Sequence, residues 1–391
     1  MTPRLILLEP AAPGAAWAPF GGVRPLAELS AGIWKIRERW EAALDLETSA
    51  IMGDHVAGFH DGPGPEVIPS APVAGPAIVA AAWFAPAGSA ITVHPATRRL
   101  VSGDTTIGWV VPAGETWHGP TNAGTAIEVD GLLLRGTFDL ITALERFLAP
   151  DALGFGSAEV DAVPTGSIVI GDPALVLCRG AVVEPGVVFD TRSGAIVLEA
   201  GVEVRHGSRL EGPLYAATGS RLLGGHLRAS AFGPRVVVKG EVSTSLFLGY
   251  SNKGHDGFVG HSVLGHWVNL GAGTTTSNLK NTYGDVSLTV AGERISTGRQ
   301  FLGALIGDHA KTAIGSLLPT GTVVGAGANV FGTANAPKYI PPLAWGSEGS
   351  EFMTEAGFLK VAERVLPRRN IPFTPERAAS LQRTYRRLRT P

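Results

Sequence analysis

One cysteine, Cys178, stands in 391 residues, which excludes a disulfide framework and any cysteine-rich zinc site. Charge is also scarce. Asp, Glu, Lys and Arg make up 17% of the chain, and a net charge of −2 gives no electrostatic ground for nucleic acid as the main partner. No apolar run approaches the roughly 18 residues that a membrane span needs. Met1 to Leu8 lacks the charged start, long apolar stretch and small-residue cleavage site of a signal peptide, so the expectation is a soluble cytoplasmic protein. Glycine and small apolar residues are plentiful: the chain is 45% hydrophobic with 52 Gly. Such a chain has ample material for a core, and its glycines point to short strands and tight turns rather than long solvated helices. The length suits two domains with some additional structure.

Three regions separate along the sequence, with expected bounds of 1–165, 166–333 and 334–391. The first mixes patterns. Leu5-Ile6-Leu7-Leu8 and Ile78 to Phe84 read as strands. Gly32 to Leu44 reads as a helix, with Ile33, Ile36, Trp40 and Leu44 at three- and four-residue steps, and Phe138 to Leu148 as another. From Ile168 the rhythm changes to six. Ile170, Val176, Val182 and Val188 fall at that spacing, as do Phe258, Leu264 and Leu270, and then Ile306, Thr312, Leu318, Val324 and Val330. Neither a strand nor a helix has this period. It is the period of a parallel β-helix with triangular coils, one short strand per face. Asn281 to Gln300 breaks the phase and predicts an excursion that covers a neighbouring coil or subunit. In the last region Phe352 to Leu366 reads as a helix, and a second opens with Thr374 as cap and Pro375 in the first turn. Arg364 to Pro391 holds eight Arg against one Glu, a pattern of an anion-binding tail or, more commonly, a solvated helix face.

Chemistry concentrates between Gly249 and Asn278. His255, His261 and His266 lie there, and a β-helix core has no need of them, so each is a candidate general base or, as is commoner for any one taken alone, a surface or stacking His. Asn269-Leu270-Gly271-Ala272-Gly273-Thr274, followed by Asn278, resembles a segment in the acetyltransferase half of the bifunctional N-acetylglucosamine-1-phosphate uridyltransferases. His255 stands fourteen residues before Asn269, where that family has its catalytic His, and Gly254 and Gly260 match around it. Gly249 to Gly284, Ile306 to Thr312, Thr320 to Gly325 and the opening Arg24 to Leu29 and Ile36 to Glu41 are similar to an alternate bacterial branch, sugar nucleotidyltransferases fused to a left-handed β-helix. The resemblance is specific from about 235 to 332.

The resemblance implies an α/β nucleotidyltransferase-like domain, a left-handed parallel β-helix of hexapeptide repeats and a short helical tail, assembled as a homotrimer. It implies acetyl-CoA-dependent N-acetylation of a hexosamine 1-phosphate, with His255 as base and the acetyl-CoA contacted at Gly273 and Thr274. Asn269, Asn278, Tyr250, Lys253, Lys280 and Lys239 are the implied substrate-binding residues. Two departures stand out. The family's basic sugar-phosphate contact is Ser243 here, so that Lys239 or Arg235 has to substitute, and its Tyr three residues after the His is Phe258. In the N-terminal region Gly21, Gly22 and Arg24 form a reduced version of the family's phosphate-cradling loop, without its Pro-Lys. Uridylyl transfer from UTP with Mg²⁺ is the implied partner step, with Asp104 and Asp54 as candidate metal ligands or solvated turn residues; a degenerate, inactive remnant is the other reading of this domain. Two other classes compete. His261, His266 and His226 suggest a trimeric zinc enzyme of carbonic-anhydrase type, three imidazoles leaving an open position for water. A non-catalytic trimeric scaffold is the third reading.

Overall fold

The computed structural model describes residues 2–156 and 160–389, which form two compact units. One comprises the segment up to Gly14, Gly21–Arg135 and the segment from Thr374 on; the other comprises Ala15–Phe20 and Gly136–Phe373. This differs from the expected bounds at both ends. The helix Asp139–Gly154 (α2) belongs to the solenoid unit, and Pro375–Arg389 belongs to the N-terminal unit.

The N-terminal unit is built on a mixed seven-stranded sheet. Arg4–Leu8 lies centrally, parallel to Thr48–Met52 on one side and to Ala77–Ala81 on the other. After the exposed Arg4 both central strands are apolar, as strands covered on two faces must be: Leu5–Leu8 is buried, and so is all of Ala77–Ala81. The first helix (α1) starts at Ile36, later than expected, and runs to Leu44. Trp40 is fully buried on this helix, donates from Nε1 to the Ala81 carbonyl at 3.1 Å and meets Phe84 at 5.7 Å between ring centres. The C-terminal helix closes the unit. Thr374 caps it as expected, accepting from Arg377 N at 3.4 Å. Its arginines are not a free tail, since Arg377 donates to the Asp61 carbonyl, Arg383 to that of Gly58 and Arg387 to those of His55 and Ala57.

The hexad rhythm becomes a parallel β-solenoid. Each coil places one short strand on each of three faces, so that residues about one coil apart pair in parallel. The first face carries nine strands, and its inward positions form one column: Cys178, Leu198, Ala216, Phe232, Phe247, Leu264, Ile306, Val324 and Ile340. All belong to a single apolar core. At about 1.5–3 kcal/mol for each fully buried large side chain, this stacking is the main stabilising term of the unit. Burial raises the Cys178 thiol to about 11, so it serves as a small apolar core residue. Inside one corner Ser230, Ser245 and Ser262 form a ladder, each hydroxyl accepting from the backbone N–H one coil on. The phase break is an antiparallel hairpin, Val286–Val290 with Glu293–Arg299, whose Val286 lies against Gly321 of a neighbouring coil. After the last coils Thr354 caps the helix Glu355–Val365 (α3), accepting from Gly357 N at 3.1 Å.

Candidate functional site

The second face contains an anomaly. Its inward column runs Val204, Leu222 and Val238, all fully buried, and the next residue in register is Lys253. An ammonium group in an apolar column is costly unless its protons find acceptors. Lys253 Nζ donates to the carbonyl of Lys239 at 2.6 Å and to that of His255 at 3.1 Å. Burial lowers its pKa to about 8, against the opposing pull of Asp256 and Glu241. A core position has thus become an anchor for the turn that carries His255.

That turn projects His255 into solvent at the corner between the second and third faces. Lys239 faces Asp256 at 3.6 Å, and Asp256 O accepts from Gly273 N at 3.0 Å, which ties the turn to coils on both sides. Gly257 is required here: its φ is +131°, and a Cβ would stand 2.3 Å from the Thr274 carbonyl oxygen. Gly273 is exposed at its own corner, whereas Thr274 is buried and bonded to Gly271 O and to Thr312 Oγ1, both at 2.8 Å.

Tyr250 and Asn269 line one cavity, of about 230 Å³, together with Asn252, Trp267, Val268, Lys311, Val365, Arg368 and Arg369. Its amides are in register, Asn252 Nδ2 donating to Asn269 Oδ1 at 3.0 Å, and Lys311 follows Asn269 one coil on. Tyr250, Trp267 and His309 recur at one corner, all with positive φ. Their rings stack, Tyr250 on Trp267 at 4.4 Å and Trp267 on His309 at 6.2 Å. Asn252, Trp267, Arg368 and Arg369 carry no individual signal in the sequence, and Lys311 lies within the Ile306 to Thr312 motif.

Asn278 lies elsewhere. It sits on the third-face side, where its Nδ2 and His261 Nδ1 are 2.8 Å apart and His261 stacks on Phe301. Burial depresses the His261 pKa to about 4. The Phe258 ring and Asn278 fill the space beside Gly260. Lys280 donates to the Asp285 carbonyl at the base of the hairpin, and Ser243 is buried. The three imidazoles of the zinc reading do not converge within one chain: His261 and His266 occupy different corners, and His226 meets Glu211 at 3.0 Å. Among the described residues no group of three His, Cys, Asp or Glu side chains is placed to hold a metal ion.

In the N-terminal unit a pocket of about 330 Å³ opens at the carboxyl ends of the central strands, lined by Leu8, Glu9, Met52, Trp83 and His118 among others. The chain passes from Arg4–Leu8 to its two neighbours on opposite sides, and such a reversal is where open α/β sheets bind ligands. The Glu9 carboxylate accepts from Leu26 N at 2.9 Å and Ala27 N at 3.0 Å. Those amides follow the Gly21-Gly22 loop, so a carboxylate of the chain itself already engages them. Arg24 is buried, ion-paired to Asp61 at 2.6 Å and seated over the Phe59 ring. Asp104 is exposed in a hairpin turn, and Asp54 accepts from Ser70 N at 2.9 Å. These donors do not assemble a Mg²⁺ site.

Residues 5–155 match the family model described as sugar nucleotidyl transferase. The chain is 41% identical over 91 residues, 23% of its length, to a bifunctional sugar-1-phosphate nucleotidylyltransferase/acetyltransferase of Sulfurisphaera tokodaii. It is 32% identical over 100 residues, 26% of its length, to the bifunctional protein GlmU of Methanococcus vannielii. These matches span 23% and 24% of those relatives' own lengths. No described helix is long and apolar enough to cross a membrane. The chain joins a domain that matches the sugar nucleotidyl transferase family to a parallel β-solenoid, and the Sulfurisphaera relative it resembles is named as a nucleotidylyltransferase and acetyltransferase.

Proposed function

We propose that the protein works in sugar-nucleotide biosynthesis and that its solenoid transfers an acetyl group from acetyl-CoA to the amine of a hexosamine 1-phosphate. The observation that carries this reading is the turn at His255, an exposed imidazole on a backbone fixed by the buried Lys253, beside the coil of Asn269 and Gly273. In the reaction the amine lone pair attacks the thioester carbonyl, and His255 takes the ammonium-derived proton. The tetrahedral intermediate collapses, the C–S bond breaks, and the CoA thiolate leaves to be protonated. A positioned base of this kind contributes about 10²–10⁴ in rate. Asn269 and Asn278 lie on different faces of one chain, so a site using both requires two copies side by side, in keeping with a homotrimer.

The N-terminal pocket suits a nucleotide by its place at the strand ends, and nucleotidyl transfer from UTP is the partner step of this reading. The decisive assay is thiol release from acetyl-CoA with glucosamine 1-phosphate. We expect turnover by the wild type and a loss of at least about 100-fold in His255→Ala. Turnover undiminished in that variant would sink the assignment of the base, and none in the wild type would sink the acceptor.

A further inference from the structure

We infer that the cavity between the second face and the end of α3 is a phosphate-ester site whose charge comes from Lys311, Arg368 and Arg369. The inference rests on the acetyl-transfer reading for its substrates but not for its geometry. Three cations line one 230 Å³ cavity that has no carboxylate among its lining residues. Neither Arg368 nor Arg369 forms an ion pair among the described residues, and the Arg369 Nε is buried without a hydrogen-bond acceptor. The two guanidiniums press on each other: burial, then Arg368 and Arg221, lower the Arg369 pKa. Lys311 has one hydrogen bond here, to its neighbour's carbonyl, His309 O at 2.8 Å, and burial lowers it to about 8. Like charges gathered without a counter-charge are unfavourable alone and favour a bound anion; phosphate also matches the planar fork of arginine.

The placement answers the question raised by Ser243. Of the two residues expected to replace the missing basic contact, Arg235 donates to the carbonyls of Arg369 and Asn370, and Lys239 faces Asp256. Arg235 therefore holds the segment that brings Arg368 and Arg369 to the cavity, and the charge arrives from the C-terminal segment instead. The cavity is also near the proposed base. Asn252, in its wall, precedes His255 by three residues, which an extended chain spans in about 10 Å. The amide pair of Asn252 and Asn269 supplies neutral donors and acceptors beside the cations.

Two substrates carry phosphate esters, the acceptor sugar and CoA, and direct binding distinguishes them. Titration calorimetry of the full chain with glucosamine 1-phosphate, with unphosphorylated glucosamine and with CoA would be compared between the wild type and Arg368→Gln/Arg369→Gln. Arg364→Gln, on the exposed surface of α3, is the control. We expect the double variant to lose at least about tenfold in affinity for one phosphorylated ligand, with glucosamine unaffected; which ligand is lost names the ester that occupies the site. In steady-state assays its KM for that ligand rises with kcat nearly unchanged. Equal affinities of variant and wild type for both phosphorylated ligands would overturn the inference. Anion binding that depends on the arginines, in a protein that releases no thiol, would uphold the site while the acetyl-transfer reading fell.

Discussion

The two units handle charge in opposite ways. In the N-terminal unit each prominent buried charge has a partner. Arg24 pairs with Asp61, and Glu28 pairs with Lys35 and Arg37 at 2.6 and 2.7 Å. Burial alone would raise the Glu28 carboxyl, yet those two cations hold it below its usual range. In the later coils of the solenoid the buried Lys253 and the half-buried Lys311 and His261 have no ion pair among the described residues and are shifted by desolvation toward their neutral forms. Pairing locks a charge into the structure, whereas desolvation without pairing leaves it responsive to ligand and pH. The difference separates charges that hold the first unit together from those that serve the second unit's candidate site.

The sharpest way to break this comparison is to remove a charge from each. Arg24→Met removes the buried guanidinium that faces Asp61 at 2.6 Å, and losing one member of a buried pair costs about 3–5 kcal/mol. Discounting for the partial exposure of Asp61, we expect about 3 kcal/mol, read as a lowered urea midpoint. Arg368→Gln/Arg369→Gln removes two charges that have no carboxylate partner and should move the midpoint by less than about 0.5 kcal/mol. Equal effects would erase the distinction. The C-terminal helix gives the next largest effect. Arg383 and Arg387 donate to three carbonyls of the 55–58 loop, so Arg383→Ala/Arg387→Ala should cost about 2 kcal/mol and speed amide exchange in that loop. Unchanged exchange would mean that these bonds do not hold the helix in solution.

How much of this was legible in the sequence follows the same division. The hexad period exposed the solenoid because each coil repeats one steric demand, and Leu264, Ile306 and Val324 do share a column. His255, Asn269 and Asn278 stood out through the resemblance of their motifs to a family's. Their separation onto different faces did not, because a motif does not state which side of a corner a residue takes. Asn269 and Lys311 are adjacent in register but 42 residues apart, hidden by the hairpin that loops out between their coils. Lys253 has the period of a core residue and the chemistry of a surface one, and only register showed which prevails. The basic C-terminal segment shows in the sequence only as a composition, which an anion-binding tail and a solvated helix face share. In the structure backbone carbonyls of a loop more than 300 residues away accept its guanidinium protons.

The finest test of the contrast is a titration. His261 is depressed by burial from 6.5 to about 4, with Glu145 opposing the shift and Arg299 and Arg228 adding to it. Between pH 4 and 6.5 the unfolded chain therefore binds more protons at this position than the folded one, so stability rises with pH across that window. The imidazole is partly exposed, and its contribution should be about 1 kcal/mol over the whole range after screening. His261→Gln keeps a polar side chain beside Asn278 but cannot titrate. Urea unfolding followed by circular dichroism from pH 4 to 7 should show a steeper rise in the wild type than in the variant. Parallel curves would mean that His261 is solvated as an ordinary surface imidazole. The solenoid would then owe its responsive charge to the two lysines alone.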